Sequence, residues 1–274
     1  MTGYMTRATN MTEKKYSLLI KFGFSFERGG AHIARTMMLS ELRALLSYVD
    51  KPEVPKNFYL SAIKEDNCLG KRSVRTRLLT YRHLADLYSL DSADILFRAL
   101  LFFWNRDSTG QPLLALLCAY ARDAVLRSTA QFIFVYPTGT VVARESLECY
   151  IESQEPSRFS AATLKSTAQN ISSTWTQSGH LAGRVKKIRT NATPTAGNVS
   201  YALLLGYLSG FRGQSLFQTE YVKLLDCSIE QAIELAEEAS RKGWVVFKRV
   251  GNIIEVLFPS LIKQEEMGWL CEQG

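Results

Sequence analysis

Residues 160–190 read SAATLKSTAQNISSTWTQSGHLAGRVKKIRT. Ser160 or Thr163 can cap a helix running to Gln177, because either hydroxyl can accept from an unpaired N–H of the first turn. Leu164, Ala168, Ile171 and Trp175 recur at the three-to-four spacing that places them on one helix face. Gly179 fits the C-terminus of that helix, where a left-handed residue closes the last turn. His180 to Thr190 then reads as a β-hairpin: Leu181-Ala182, a turn at Gly183, and Val185 and Ile188 set among basic residues. With Arg144 to Glu152 as a preceding helix, the order is that of a winged-helix unit whose wing is the hairpin.

Toward the C-terminus the order returns. Val199 to Phe211 is an apolar helix, and Phe217 to Leu225 and Ser228 to Lys242 read as two more. Trp244 to Lys248 and Ile253 to Phe258 alternate as strands about a turn at Val250-Gly251-Asn252. Helix, helix, hairpin thus occurs twice, at about 144–192 and 196–262, as a recurring topology without a sequence repeat.

Toward the N-terminus, residues 1–13 are rich in Thr, Met and Asn and read as disordered. Tyr16 to Phe26 reads as a short strand, broken by Gly29-Gly30. Ala31 to Val49 shows helical spacing and is ended by Pro52 and Pro55. Val54 to Glu65 is a second helix and Asn67 to Gly70 a turn. Ser73 caps a third helix, Val74 to Ser89, whose apolar set is Val74, Leu78, Leu79, Tyr81, Leu84, Leu87 and Tyr88. A short Gly-containing turn before the third helix is the helix-turn-helix pattern. Ser92 to Asn105 and Gln111 to Val125 are strongly apolar core helices, and Gly139 to Val142 a connector. The expected fold is mainly α, with helix-turn-helix and winged-helix units carrying short β-hairpin wings. Three parts are expected: 16–143 with its helix-turn-helix at about 31–89, 144–195, and 196–265.

Charge is unevenly spread. The 274 residues carry a net charge of +7. Residues 156–219 form a 64-residue stretch with seven basic residues and no Asp or Glu. With 26 acidic residues in 274, such a stretch should hold about six. A run of cations that no neighbouring carboxylate cancels suits a polyanion, since neutralised phosphates release counterions. Lys165 on the helix and Arg184, Lys186, Lys187 and Arg189 on the wing are the expected phosphate contacts. Ser160, Thr163, Ser166, Gln169 and Asn170 supply short polar side chains on the same helix. The first helix-turn-helix is a second basic surface: Arg72, Arg75 and Arg82 share a face opposite Leu78 and Leu84, and Arg77 lies at its flank. The helix Ser228 to Lys242, by contrast, carries Glu230, Glu234, Glu237 and Glu238, which would repel phosphate, so this unit is expected to pack on the rest of the protein or on a protein partner.

No catalytic constellation emerges. The chain has three His and neither HxxxH nor HExxH, and it lacks a GxxxxGK[ST] loop and a GxSxG elbow. Five widely spaced Cys without a CxxC pair read as reduced thiols, and no metal-ligand spacing occurs. With no signal peptide and no apolar run near the roughly 20 residues of a membrane span, the expectation is a cytoplasmic, cofactor-free, non-enzymatic binder of double-stranded DNA.

Several segments resemble the BrxA family of BREX bacteriophage-exclusion systems. They are Ile33-Ala34-Arg35-Thr36, Asn67 to Thr76 (NCLGKRSVRT), Tyr81-Arg82-His83-Leu84, Leu113 to Cys118 (LLALLC), Ser160 to Ser166 (SAATLKS) and Ser178-Gly179-His180-Leu181. In this order they cover about residues 30–262. The resemblance implies a phage-defence component that binds DNA without catalysis. It also implies partnership with other BREX proteins: a DNA methyltransferase, an ATPase and a phosphatase-like component.

Overall fold

A computed structural model of the chain describes residues 13–51, 54–251 and 253–271. Among these residues the helices, in chain order, are α1 (Glu13–Lys21), a 3-10 turn (Ala31–Ile33), α2 (Leu39–Tyr48), α3 (Lys56–Lys64), α4 (Val74–Tyr88), α5 (Ile95–Trp104) and α6 (Gln111–Arg122). There follow α7 (Ala124–Ser128), α8 (Ala130–Val135), strand β1 (Val141–Val142), α9 (Arg144–Gln154), α10 (Ala161–Gln177), β2 (Leu181–Ala182) and β3 (Lys187–Arg189). The chain then forms α11 (Ala196–Leu208), a 3-10 segment (Gly213–Gln218), α12 (Glu220–Lys223), α13 (Ile229–Arg241), β4 (Val246–Val250), β5 (Ile253–Leu257) and α14 (Gln264–Cys271). The fold is mainly helical with two small antiparallel sheets, β1-β3-β2 and β4-β5.

The core is centred on α11. All thirteen of its residues are buried, and it packs against α5, α6, α12 and α13. A helix that is apolar all round can be stable only when enclosed. One contiguous buried cluster runs from Leu18 to Leu270, so the three parts read from the sequence share a core. Two ion pairs of buried arginines tie distant segments together. Arg98 of α5 meets both carboxylate oxygens of Glu266 in α14 at 2.6 and 2.7 Å. Arg189 of β3 meets Asp226 at 2.8 Å through each of two nitrogens.

A buried polar chain fixes α10 to the N-terminal half. His32 Nδ1 lies 2.8 Å from Asp123 Oδ2, and His32 Nε2 lies 3.0 Å from Thr174 Oγ1. Thr174 Oγ1 also accepts from the Met37 N–H at 2.9 Å. Asp123 caps α7 through the Leu126 N–H at 2.9 Å. Burial raises the Asp123 pKa, but the His32 ring and the two backbone N–H donors outweigh it and hold the carboxyl below its ordinary value. Hydroxyl, imidazole and carboxylate here follow the order of a nucleophilic triad. Their residues are 0%, 0% and 2% exposed, so no substrate reaches them, and the chain is a structural clasp.

The structure departs from the sequence reading in several elements, among them the helix expected over 217–225, which is a 3-10 segment followed by the short α12. Tyr16 to Lys21 is part of a helix, because Leu18, Leu19 and Phe22 bury together at i, i+1 and i+4. The helix expected over 31–49 is broken: Met38 is left-handed at φ 51, and α2 starts after it. The break is held by Thr174 on the Met37 N–H and by Tyr88 Oη, which donates to the Met37 carbonyl at 2.5 Å. Val74, Leu78 and Leu79 of α4 face solvent; α4 buries Thr80, Leu84, Leu87 and Tyr88 instead. The connector at 139–142 contributes β1, and 124–135 forms two short helices. Of the disorder expected over residues 1–13, all but Glu13, which opens α1, lies outside the described residues, as do the Pro52 stop and the Asn252 turn position.

Candidate nucleic-acid interface

Helix α10 starts where its N-cap dictates. Ser160 Oγ accepts from the Thr163 N–H at 3.2 Å. Ala168, Ile171 and Trp175 turn inward, and Trp175 donates to Thr129 Oγ1 at 3.1 Å. Lys165, Ser166 and Gln169 are left on the outer face. Gly179 at φ 89 turns the chain, and the His180 N–H closes the helix end on the Trp175 carbonyl at 2.9 Å.

The hairpin β2-β3 continues from this turn, and β3 lies between β2 and β1. Ala182 pairs with Ile188 and Val142 with Lys187. Gly183 adopts φ 95 at the first turn position. A Cβ there would collide with the Lys186 carbonyl oxygen, so only glycine holds the turn. Between hairpin and helix lies a groove of about 800 Å³. Gln169, Ser173 and Thr176 of α10 form one wall and residues 183–187 the other, with Arg144 and Glu145 at its end.

The expected contacts divide inside this geometry. Lys165, Arg184 and Lys186 are exposed and, among the described residues, make no ion pair. Lys187 lines the groove and donates to the Gly183 carbonyl at 2.7 Å, and burial moves its ammonium pKa below the ordinary value. Arg189 is a correction: it is 3% exposed, bidentate to Asp226, and stacked over Phe134 at 5.0 Å, so it cannot reach phosphate. Asn170 is also committed elsewhere, donating to the His32 carbonyl at 3.1 Å.

Nor is the field free of carboxylates in space. Glu145 stands at the groove end. Its own backbone N–H and the Arg144 charge hold its carboxyl below the ordinary range, with Lys165 adding to the effect. Arg144 pairs with Glu145 at 2.6 Å and with Glu148 at 2.8 Å. Ser173, Thr176 and Arg144 were not among the expected contacts. Gln169, Ser173 and Thr176 stand at i, i+4 and i+7, so the helical period that marked the buried face also carried this polar one.

The α4 surface splits in the same way. Arg77 is half-buried and donates to the Lys64 carbonyl at 2.6 Å, closing the end of α3, which corrects its assignment as a DNA contact. Arg72, Arg75 and Arg82 are exposed and, among the described residues, unpaired. Leu78 and Leu79 lie beside them at 41% and 40% exposure, not opposite. No group of three or more His, Cys, Asp or Glu among the described residues could hold a metal ion, and no described helix is long and apolar enough to cross a membrane. The chain matches no protein-family model, and no curated protein is similar to it.

Proposed function

We propose that the protein is a non-catalytic, duplex-DNA-binding component of a BREX phage-defence system, gripping the phosphate backbone through the wing and α10. One observation carries the reading: Arg184 and Lys186, exposed and without an ion pair among the described residues, line a groove walled by the polar face of α10, and exposed Lys165 stands one turn before Gln169 on the same helix. Cations that make no ion pair are available to phosphate, and hydroxyl and amide side chains fix register on the backbone. The element order β1, α9, α10, β2, β3 with sheet order β1-β3-β2 supports the winged-helix reading of this unit. The BrxA resemblance supports the defence role in the cytoplasm, beside a methyltransferase, an ATPase and a phosphatase-like component.

The test is binding to a labelled duplex. Both Arg184 and Lys186 are exposed, so the double variant R184E/K186E keeps the fold. It should bind at least about tenfold more weakly, equally for unrelated sequences, because the contact is to backbone. Affinity equal to that of the unaltered protein would move the interface off the wing.

A second reading concerns α4. Val74, Leu78 and Leu79 are 50%, 41% and 40% exposed among Arg72, Arg75 and Arg82. Apolar side chains gain little from hydrated phosphates, and a mixed apolar and basic helix face suits a protein component of the defence complex. Capture of that component by nuclease-treated protein, abolished in R75E/R82E, would assign α4 to the scaffold role; loss of duplex affinity in the same variant would return it to DNA.

A further inference from the structure

Two surface helices carry outward ridges of opposite sign. On α4, Arg75, Leu78, Leu79 and Arg82 recur at i, i+3, i+4 and i+7 and are exposed, opposite the buried Thr80, Leu84 and Leu87. On α13, Glu230, Glu234 and Glu237 recur at i, i+4 and i+7 and are exposed, opposite the buried Ala232, Ala236 and Ala239. Among the described residues neither these two arginines nor these three glutamates make an ion pair. Only Glu238 of the α13 carboxylates is held, by Lys242 at 2.5 Å. In each helix the outer charges stand seven residues apart, a span of about 10.5 Å. Apolar side chains accompany both ridges. Leu78 and Leu79 lie between Arg75 and Arg82, while half-buried Ile233 and 42% exposed Ile229 flank the glutamates.

We infer that a second copy of this chain docks its α4 ridge on the α13 ridge of the first. This rests on the reading of α4 as a protein-docking face and names the occupant. An acidic ridge alone is ordinary solvated surface; here the same molecule carries its complement at matching spacing. Charge also fixes which faces meet. Packing α4 on α4 would set arginine against arginine, and packing α13 on α13 would crowd six carboxylates, both strongly unfavourable. Only α4 on α13 joins opposite charges, with Leu78 and Leu79 set against Ile229 and Ile233. Two different surfaces meet in such a contact, so each pair keeps one free α4 and one free α13. Association therefore continues to chains or rings instead of closing at two copies. One helix from each copy buries little area, so the contact is weak and sensitive to salt.

The experiment is sedimentation equilibrium of nuclease-treated protein over a concentration series. Salt is set at about 0.01 M and about 1 M, where the Debye length is about 30 Å and about 3 Å. Four proteins are compared: the unaltered chain, R75E/R82E, E230K/E237K, and the quadruple variant carrying both reversals. All four positions are exposed, so thermal unfolding should be alike. The mean mass of the unaltered chain should climb past two copies at low salt and return to one copy at high salt. Either double variant should associate at least about tenfold more weakly, because like charges then face each other. The quadruple variant has the net charge of the unaltered chain and should regain association, since an acidic α4 meets a basic α13.

A single-copy mass for the unaltered chain at every concentration and salt would overturn the inference. So would R75E/R82E associating as the unaltered chain does, a quadruple variant that stays single, or a mass that stops at two copies. If the unaltered chain stays single while R75E/R82E no longer captures a defence component, α4 docking stands and only the second copy as its occupant falls. If R75E/R82E keeps its captured proteins and loses duplex affinity instead, the docking reading of α4 falls as well.

Discussion

Lys186 and Arg189 stand three residues apart on one hairpin and meet opposite fates. Leu181 and Arg189 are cross-strand partners on the buried face of the small sheet, while Ile188, between two basic residues, faces out at 36% exposure. Hydrophobicity alone would turn Ile188 inward. The partner that decides otherwise is Asp226, 37 positions away, which the local sequence does not reveal. Desolvating a guanidinium is costly, and bidentate pairing offsets that cost only with a carboxylate in place. His180 shares this enclosure. Its Nε2 is 2.9 Å from the Leu224 carbonyl and Nδ1 is 2.9 Å from Ser178 Oγ, so the neutral ring donates to the one and accepts from the other. Burial, opposed by the Leu224 carbonyl and the Asp226 charge, lowers its pKa from 6.5 to about 4. The unfolded chain therefore binds a proton near pH 6.5 that the folded chain refuses until about pH 4. Stability from this group is complete above pH 6.5 and declines as pH falls through that window. At pH 5 the loss should be ~2 kcal/mol. Urea unfolding of the unaltered chain and of H180Q at pH 7.5 and 5 checks it. The variant should be weaker at pH 7.5 yet lack this component of the slope; equal slopes would assign the pH dependence to other groups.

Elements differ in how far their own sequence decides them. Helix α10 was legible almost completely: its inward Ala168, Ile171 and Trp175 and its Gly179 stop stand as read, and of the two caps the sequence offered, Ser160 or Thr163, the structure uses Ser160. Each of those signals is local, and each coincides with the tertiary environment. The start of α2 was not legible. No Gly or Pro marks Met38, and the spacing of apolar residues runs through it. The break exists because Thr174 and Tyr88 bind the Met37 peptide from other helices, which offsets the cost of a left-handed methionine. The exposed face of α4 misled for a related reason, since Leu78 and Leu79 look like core residues in a helical pattern that only packing can orient. Thr174 therefore matters beyond α10. In T174V the Met37 N–H and His32 Nε2 lose their partner inside the core. The expected cost is about 2–4 kcal/mol, because buried polar groups are left unsatisfied. T174S, which keeps the hydroxyl, should recover most of it. Chemical denaturation reads both. Duplex affinity should be unchanged in folded T174V, since Lys165 and Gln169 lie on the opposite face; T174V as stable as the unaltered chain would mean that the clasp is ornamental.

At the scale of the whole molecule, a charge map drawn along the sequence and one drawn in space disagree. The acid-free stretch 156–219 meets Asp226 at Arg189, Glu155 at Arg158 and Glu145 at the groove end. Folding thus withdraws part of its charge, leaving Lys165, Arg184 and Lys186 unpaired, with Lys187 partly screened by its own turn. The α4 arginines form a separate cluster whose leucines fit protein better than phosphate. A salt series counts the cations that are used. Each phosphate neutralised contributes about 0.9 to the slope of log K against log salt, so three to four contacts give a slope near −3. Recruitment of Arg72, Arg75 and Arg82 as well would steepen it to about −6. The expected result is the shallower slope, reduced to about −1 to −2 in R184E/K186E and unchanged in R75E/R82E. A steep slope lost in R75E/R82E would join the two surfaces in one DNA-binding face and remove α4 from protein docking. A flat slope would show that the groove holds no backbone, and would leave the mixed face of α4 as the functional surface.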